Sequence, residues 1–246
     1  MIEIKNLSRS YGDKKAVDNV NLTFERGEII GIFGENGAGK TTLIKSALGL
    51  IKHEGTVTVD GEEVDYRQMH KLAFATSEHS FFPDLNGNDH REFYKESFSD
   101  FNEKRFEGLM EFFGLPLNKK IKSFSTGQKN QFEVVMALSK GADYIFMDEP
   151  FAGNDMFNRE DFYKVLLGIL KENETVILST HLIEEVENFI SRAILIKEGR
   201  IIDECSIEDL EEKGKSLSDY VKESYNYESD RVLAALDKIT EGDEEA

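Results

Sequence analysis

The stretch Gly34-Glu35-Asn36-Gly37-Ala38-Gly39-Lys40-Thr41-Thr42 carries the strongest structural signal in this chain. It fits the spacing G-x-x-x-x-G-K-[ST]. A short apolar run, Ile29–Phe33, precedes it, and a helical pattern from Lys40 to about Leu48 follows. Three glycines let the backbone bend tightly and turn its N–H groups inward. There they act with the positive end of the helix to attract phosphate oxygens. Lys40 adds a full charge within reach of the outer phosphates, and the Thr41 hydroxyl is placed to meet a magnesium ion held by them. A ligand-free glycine turn has the same local look, but a strand on one side and a helix on the other favour a phosphate cradle.

Working outward, the N-terminal part has the period of strands. Met1–Leu7 and Val17–Phe24 alternate apolar and polar residues, and Gly55–Val64 predicts a hairpin turning at Asp60-Gly61. From about Glu78 to Lys140 the strand pattern gives way to phenylalanine-rich helical spacing. Within it, Asn102–Phe113 places Phe106, Leu109, Met110 and Phe113 on one face. Strands return at Tyr144–Met147, Thr175–Ser179 and Ala193–Ile196, with helices between them, and Gly199 turns the chain into a short strand at Arg200–Glu204. The pattern is that of an α/β protein whose sheet domain is interrupted by a helical lobe, about 78–140. An acidic, partly helical tail, 206–246, follows a main domain of 1–205.

Composition narrows the partners. The 246 residues carry 48 acidic and 30 basic side chains, a net charge of −18. Residues 206–246 alone hold thirteen acidic and five basic side chains, which predicts a solvated surface there. Such a field repels nucleic acid, so none is expected as a partner. It also repels free triphosphate, so a nucleotide site here must build its own positive field. The single cysteine, Cys205, forms no internal disulfide and fits a reducing compartment. No N-terminal stretch has the form of a secretory signal, and none approaches the roughly 18 apolar residues needed to cross a bilayer. Action at a membrane would require docking on a separate spanning chain.

Four further segments follow the loop, and an aromatic residue precedes it. Phe124-Ser125-Thr126-Gly127-Gln128 is a capping box, Ser125 with Gln128, opening a helix over 127–139. Tyr144–Met147 ends in Asp148-Glu149-Pro150, and Ile177–Thr180 ends in His181. Ala152-Gly153-Asn154-Asp155 is a turn, and Tyr11 sits in an early strand with Val17 beyond it. Each has a plain structural reading as a helix start, a polar strand end or sheet packing. With the glycine loop, the set over about residues 2–205 resembles the ATP-binding cassette family, in its bacterial export-type form.

That resemblance implies a P-loop NTPase core with a mixed sheet, an N-terminal antiparallel β-subdomain and an inserted helical lobe. It implies an ATPase that powers a membrane transporter and uses ATP and Mg²⁺. Tyr11 and Val17 would meet the adenine, and residues 34–42 the phosphates. Thr41 and Asp148, with Ser77, would serve the metal. Glu149 would polarise the attacking water, with His181 as the switch histidine at the γ-phosphate. Ser125, Thr126, Gly127 and Gln128 would close over ATP held by a second cassette subunit, and Asp155 would touch that partner. Separate transmembrane permease subunits would hold the pair at the cytoplasmic face of the membrane. The sequence departs from the family at the lobe junction, Phe74-Ala75-Thr76-Ser77-Glu78-His79, where Ser77 stands in place of the usual Gln. The next residues, Phe81-Phe82-Pro83, fit either an exposed docking surface or lobe packing.

Overall fold

The computed structural model describes residues 1–150 and 156–225, with the backbone alone at 156–159 and 185. Alternating apolar residues build β1 (Ile2–Tyr11) and β2 (Lys14–Phe24), in which Ile2, Ile4, Leu7, Val20, Leu22 and Phe24 turn inward. β3 (Ile29–Phe33) runs into the glycine loop and α1 (Lys40–Ala47). β4 (Glu54–Val59) and β5 (Glu62–Glu63) form the expected hairpin. Its Asp60 and Gly61 both take positive φ, 51° and 84°, as a tight turn of this hand requires. β6 (Leu72–Thr76) then leads out to the lobe helices α2 (Gly87–Ser97), α3 (Glu103–Phe112) and α4 (Thr126–Ser139). The chain returns through β7 (Tyr144–Asp148), α5 (Met156–Ile169), β8 (Thr175–Thr180), α6 (Ile183–Val186), β9 (Arg192–Lys197) and β10 (Arg200–Ser206). It continues into α7 (Ile207–Glu212) and α8 (Leu217–Ser224).

The strands form two sheets. One is four-stranded and antiparallel, ordered β2-β1-β4-β5. The other is six-stranded, ordered β10-β9-β3-β8-β7-β6, parallel except for the antiparallel β9–β10 edge. The expected α/β fold, with a mixed sheet, an antiparallel N-terminal subdomain and an inserted helical lobe, is therefore present. β6 is an addition to that expectation.

Two apolar cores sandwich the larger sheet. β7 is buried along its whole length and feeds both: Tyr144 and Phe146 pack with α1 and the antiparallel sheet, Ile145 and Met147 with the helical lobe. In α3, Phe106, Leu109 and Met110 are buried and Phe113 packs partly against the same core. The seam between lobe and sheet domain holds a buried ion pair, Arg105 to Glu174, with both N···O distances 2.9 Å. The expectation of a solvated tail from 206 is corrected for 206–225. Leu210, Leu217 and Val221 are buried in the main core, so α7 and α8 are part of the packed molecule. Residues 226–246 lie outside the described residues. Among the described residues no helix is long and apolar enough to cross a membrane.

Candidate active site

The parallel strands end together, and their carboxyl ends carry the candidate chemistry, where this class of fold places its ligands. β3 delivers the glycine loop. Lys40 bends back over it, its ammonium donating to Gly34 O at 2.6 Å and Glu35 O at 3.3 Å. At Gly39 the backbone takes φ 112°, and a Cβ there would lie 2.3 Å from Ala16 O. Only glycine lets the loop pass that close to β2.

In the ladder, Asp148 of β7 lies level with Thr76 of β6 and Ser179 of β8. Both of its carboxylate oxygens are engaged. Thr41 Oγ1 donates to Oδ2 at 2.6 Å, and Ser179 Oγ donates to Oδ1 at 2.5 Å. The next residue, Glu149, has φ 48°, a left-handed conformation that costs a non-glycine residue about 1–3 kcal/mol. Its N–H is held by Ser179 O at 3.1 Å. The turn aims the carboxylate at the loop, 3.7 Å from Lys40 Nζ, and at His181, whose Nδ1 is 3.0 and 3.1 Å from the two oxygens. A carboxylate only accepts, so Nδ1 carries the proton of that hydrogen bond.

The oxygens of Thr41 and Asp148 suit a small hard cation such as Mg²⁺, which takes few protein ligands and shares the rest with phosphates and water. Among the described residues no cluster of three or more His, Cys, Asp or Glu could hold a metal ion.

A cleft of about 290 Å³ opens along the loop. Glu35, Asn36, Gly37 and Gly39 to Thr42 line its phosphate end together with Glu149, while Tyr11, Lys14 and Ala16 line its outer end. Tyr11 is half exposed, with the Arg9 guanidinium 4.6 Å from its ring centre. Gly34 and Ala38 form the loop's underside, Ala38 being buried. Val17 is corrected. It is fully buried in the core beside α1 and does not line the cleft, which takes Ala16 instead. Tyr11 pairs with Lys14 across the turn, so the β2 residues that share its face are Lys14 and Ala16, and Val17 turns the other way. Lys14 was missed by sequence reasoning. Its place next to the tight turn after Tyr11 was the available signal.

Ser77 lies one residue beyond the end of β6, is exposed, and does not line the cleft. Its neighbour Glu78 pairs instead with Lys45 of α1 at 2.6 Å. Ser125 and Gln128 form the capping box in full. Gln128 N–H donates to Ser125 Oγ at 3.2 Å, and Ser125 N–H donates to Gln128 Oε1 at 3.0 Å. Ser125 and Thr126 are exposed, Gly127 and Gln128 partly so, and none of the four lines the cleft of its own chain. Phe124, where the family has Leu, is buried against Phe132. Asp155 lies outside the described residues.

The junction after β6 is gripped by the lobe. Glu133 of α4 accepts from Ser80 N–H and Ser80 Oγ, and burial pushes its carboxyl up to about 7. His90 Nε2 accepts from Phe82 N–H at 3.0 Å while Nδ1–H donates to Asn86 O at 2.8 Å, which fixes a neutral tautomer. Burial lowers the His90 pKa in the same sense. The alternatives for Phe81-Phe82 divide between the two residues: Phe81 packs inward on His79 and Phe132, while Phe82 is 50% exposed.

The family model described as ABC transporter matches residues 17–152, more than half of the chain. The chain belongs to the ABC transporter ATP-binding subunits. The ABC transporter ATP-binding protein NatA of Bacillus subtilis is 30% identical over 231 residues, covering 88% of this chain and 94% of NatA. The bacitracin transport ATP-binding protein BcrA of Bacillus licheniformis is 26% identical over 227 residues, covering 89% of this chain and 74% of BcrA. A solved ATP-binding subunit of an ABC transporter superposes with a TM-score of 0.80 at 23% identity, covering 92% of this ABC subunit and 99% of that chain. A dimeric cassette in a post-hydrolysis state with ADP and Pi has a TM-score of 0.73 at 24% identity, covering 84% and 99%.

Proposed function

We propose that this ABC subunit hydrolyses ATP in a closed dimer and passes the resulting motion to separate membrane-spanning chains, in the direction of export. The observation that carries the catalytic part is the Lys40–Glu149–His181 cluster: Lys40 3.7 Å and His181 3.0 Å from one carboxylate at the mouth of the phosphate loop.

In the mechanism, Lys40 exchanges the carbonyls of Gly34 and Glu35 for β- and γ-phosphate oxygens, so charge replaces dipole as its partner. Tyr11 stacks on the adenine, and Lys14 beside it adds positive charge to the cleft of a net-acidic protein that would otherwise repel an anionic ligand. Thr41 and Asp148 would hold Mg²⁺, which when bound would neutralise charge building on the phosphates. Glu149 orients the attacking water and accepts its proton, and His181 holds Glu149 through Nδ1 so that the carboxylate faces the γ-phosphate. The products are ADP and phosphate. The N-terminus of α4, with Ser125 to Gln128, does not line the cleft of its own chain. That favours a role on the γ-phosphate held by a second subunit.

Export is supported by relatives described as bacitracin and lantibiotic transport ATP-binding proteins. Phe82 and Phe93, 50% and 45% exposed with ring centres 5.5 Å apart, suit a surface for a membrane partner's helix. The test is Glu149→Gln in MgATP. The variant should keep ATP, lose turnover by about a hundredfold or more, and elute as a dimer only with ATP. A variant that turns over like the parent would remove Glu149 from the chemistry. One that binds ATP without dimerising would remove the closed pair.

A further inference from the structure

Tyr225, at the C-terminal end of α8, reaches 192 residues back along the chain. Its hydroxyl lies 2.8 Å from Ile196 O and 3.2 Å from Phe33 O. Phe33 O belongs to the peptide that enters the phosphate loop. Ile196 stands one residue beyond Leu195, the last β9 residue paired with β3. Ile196 O also sets the position of the loop, because Gly34 passes so close that a Cβ there would lie 2.4 Å from it. One donor thus ties two parallel strands where they part, and both acceptors abut the first residue of the loop.

We propose that Tyr225 is a positioning residue for the nucleotide: its hydroxyl staples the ends of β3 and β9 at the root of the phosphate loop, so the C-terminal segment of the same chain sets how tightly nucleotide is held. The inference rests on the assignment of the Gly34–Thr42 loop as the nucleotide site.

The ring's surroundings agree. Tyr225 lines two cavities that flank the loop, one of about 240 Å³ with Gly34, Glu35 and His181, the other of about 220 Å³ with Lys14, Asn36 and Gly37. The helix beneath it is fixed: Leu217 and Val221 are buried, and Ser216 caps its N-terminus by accepting from Asp219 N–H at 3.1 Å. Burial, with the nearby Glu35 charge, pushes the phenol up to about 12, so the hydroxyl stays a donor at every pH the protein works in. Loop amides point at phosphate usefully only if the loop's ends are held, since small misplacements of binding groups cost large factors.

The experiment compares Tyr225→Phe, Tyr225→Ala and Lys40→Ala in the full chain. The readouts are titration with a fluorescent N-methylanthraniloyl-ADP in Mg²⁺, steady-state ATPase and thermal unfolding. Tyr225→Phe removes only the staple. It should raise the Kd for the probe and the KM for ATP together by roughly threefold to tenfold, the weight of one hydrogen bond, with kcat and Tm close to the parent. Tyr225→Ala should do at least as much. If Tyr225→Phe binds the probe like the parent while Lys40→Ala fails to bind, the nucleotide site stands and the staple is refuted. If Lys40→Ala also binds like the parent, the site assignment fails and the inference goes with it.

Discussion

Replacing Arg105 by Met should cost this protein much of its stability. The guanidinium is buried at the seam between lobe and sheet domain and makes four hydrogen bonds. Two go to Glu174 at 2.9 Å, one to Leu138 O at 2.9 Å, and one to Ile169 O, the last residue of α5. It therefore joins α3, the end of α4, the end of α5 and the turn before β8. Methionine fills the stem's space but leaves the Glu174 carboxylate, 4% exposed, with only the Lys171 N–H among the described residues to hold it. An uncompensated buried charge of this kind costs about 3–5 kcal/mol. At about 2–4 °C per kcal/mol for a chain of this size, the melting temperature should fall by roughly 6–20 °C. Urea unfolding with the slope held common gives the free energy directly. The double variant Arg105→Met/Glu174→Leu removes both charges and should regain most of the loss, since an apolar pair can replace a buried ion pair at little cost. The reasoning is refuted if the single variant costs under about 1 kcal/mol, or if the double variant loses as much as the two single variants added together.

Three further outcomes follow from the site. The Glu133 carboxyl is pushed from 4.5 to about 7 by burial, so folded protein holds a proton that unfolded protein has released. Its stabilising contribution is complete below pH 4.5 and lost as pH rises through 7, a swing on the order of 3 kcal/mol, and Glu133→Gln should flatten that part of the stability–pH curve. Gly39→Ala should abolish nucleotide binding in a titration, because its φ of 112° and a Cβ 2.3 Å from Ala16 O force the loop off β2. Tyr11→Ala should raise the KM for ATP by roughly tenfold with kcat little changed, since stacking on a base is worth about 1–3 kcal/mol.

Much of the site could be seen in the sequence because its parts are local. The glycine loop needs its residues adjacent, the capping box needs Ser125 and Gln128 three apart, and β7 and β8 are buried on both faces and so show as unbroken apolar runs ending in polar residues. What was hidden depends on distance or irregularity. β6 is Leu-Ala-Phe-Ala-Thr, and its two alanines carry little strand preference, so only its place at the edge beside β7 makes it a strand. Ala16 rather than Val17 shares Tyr11's face because Tyr11 pairs with Lys14, a pairing across the turn that the residue types alone do not set. The union of Tyr225 with the root of the loop spans 192 residues. The acidic composition that suggested a solvated tail gives no hint of Leu210, Leu217 and Val221 packing underneath.

The central claim is that main-chain amides of residues 34–42 and the Lys40 ammonium hold a triphosphate. Calorimetric titration of MgATP into the purified parent and into Lys40→Ala tests it most directly. The account predicts saturable binding by the parent and at least a hundredfold weaker binding by the variant, as expected when a charged partner of buried phosphate oxygens is removed, at about 1.4 kcal/mol per factor of ten. Equal affinity for the two proteins would contradict it.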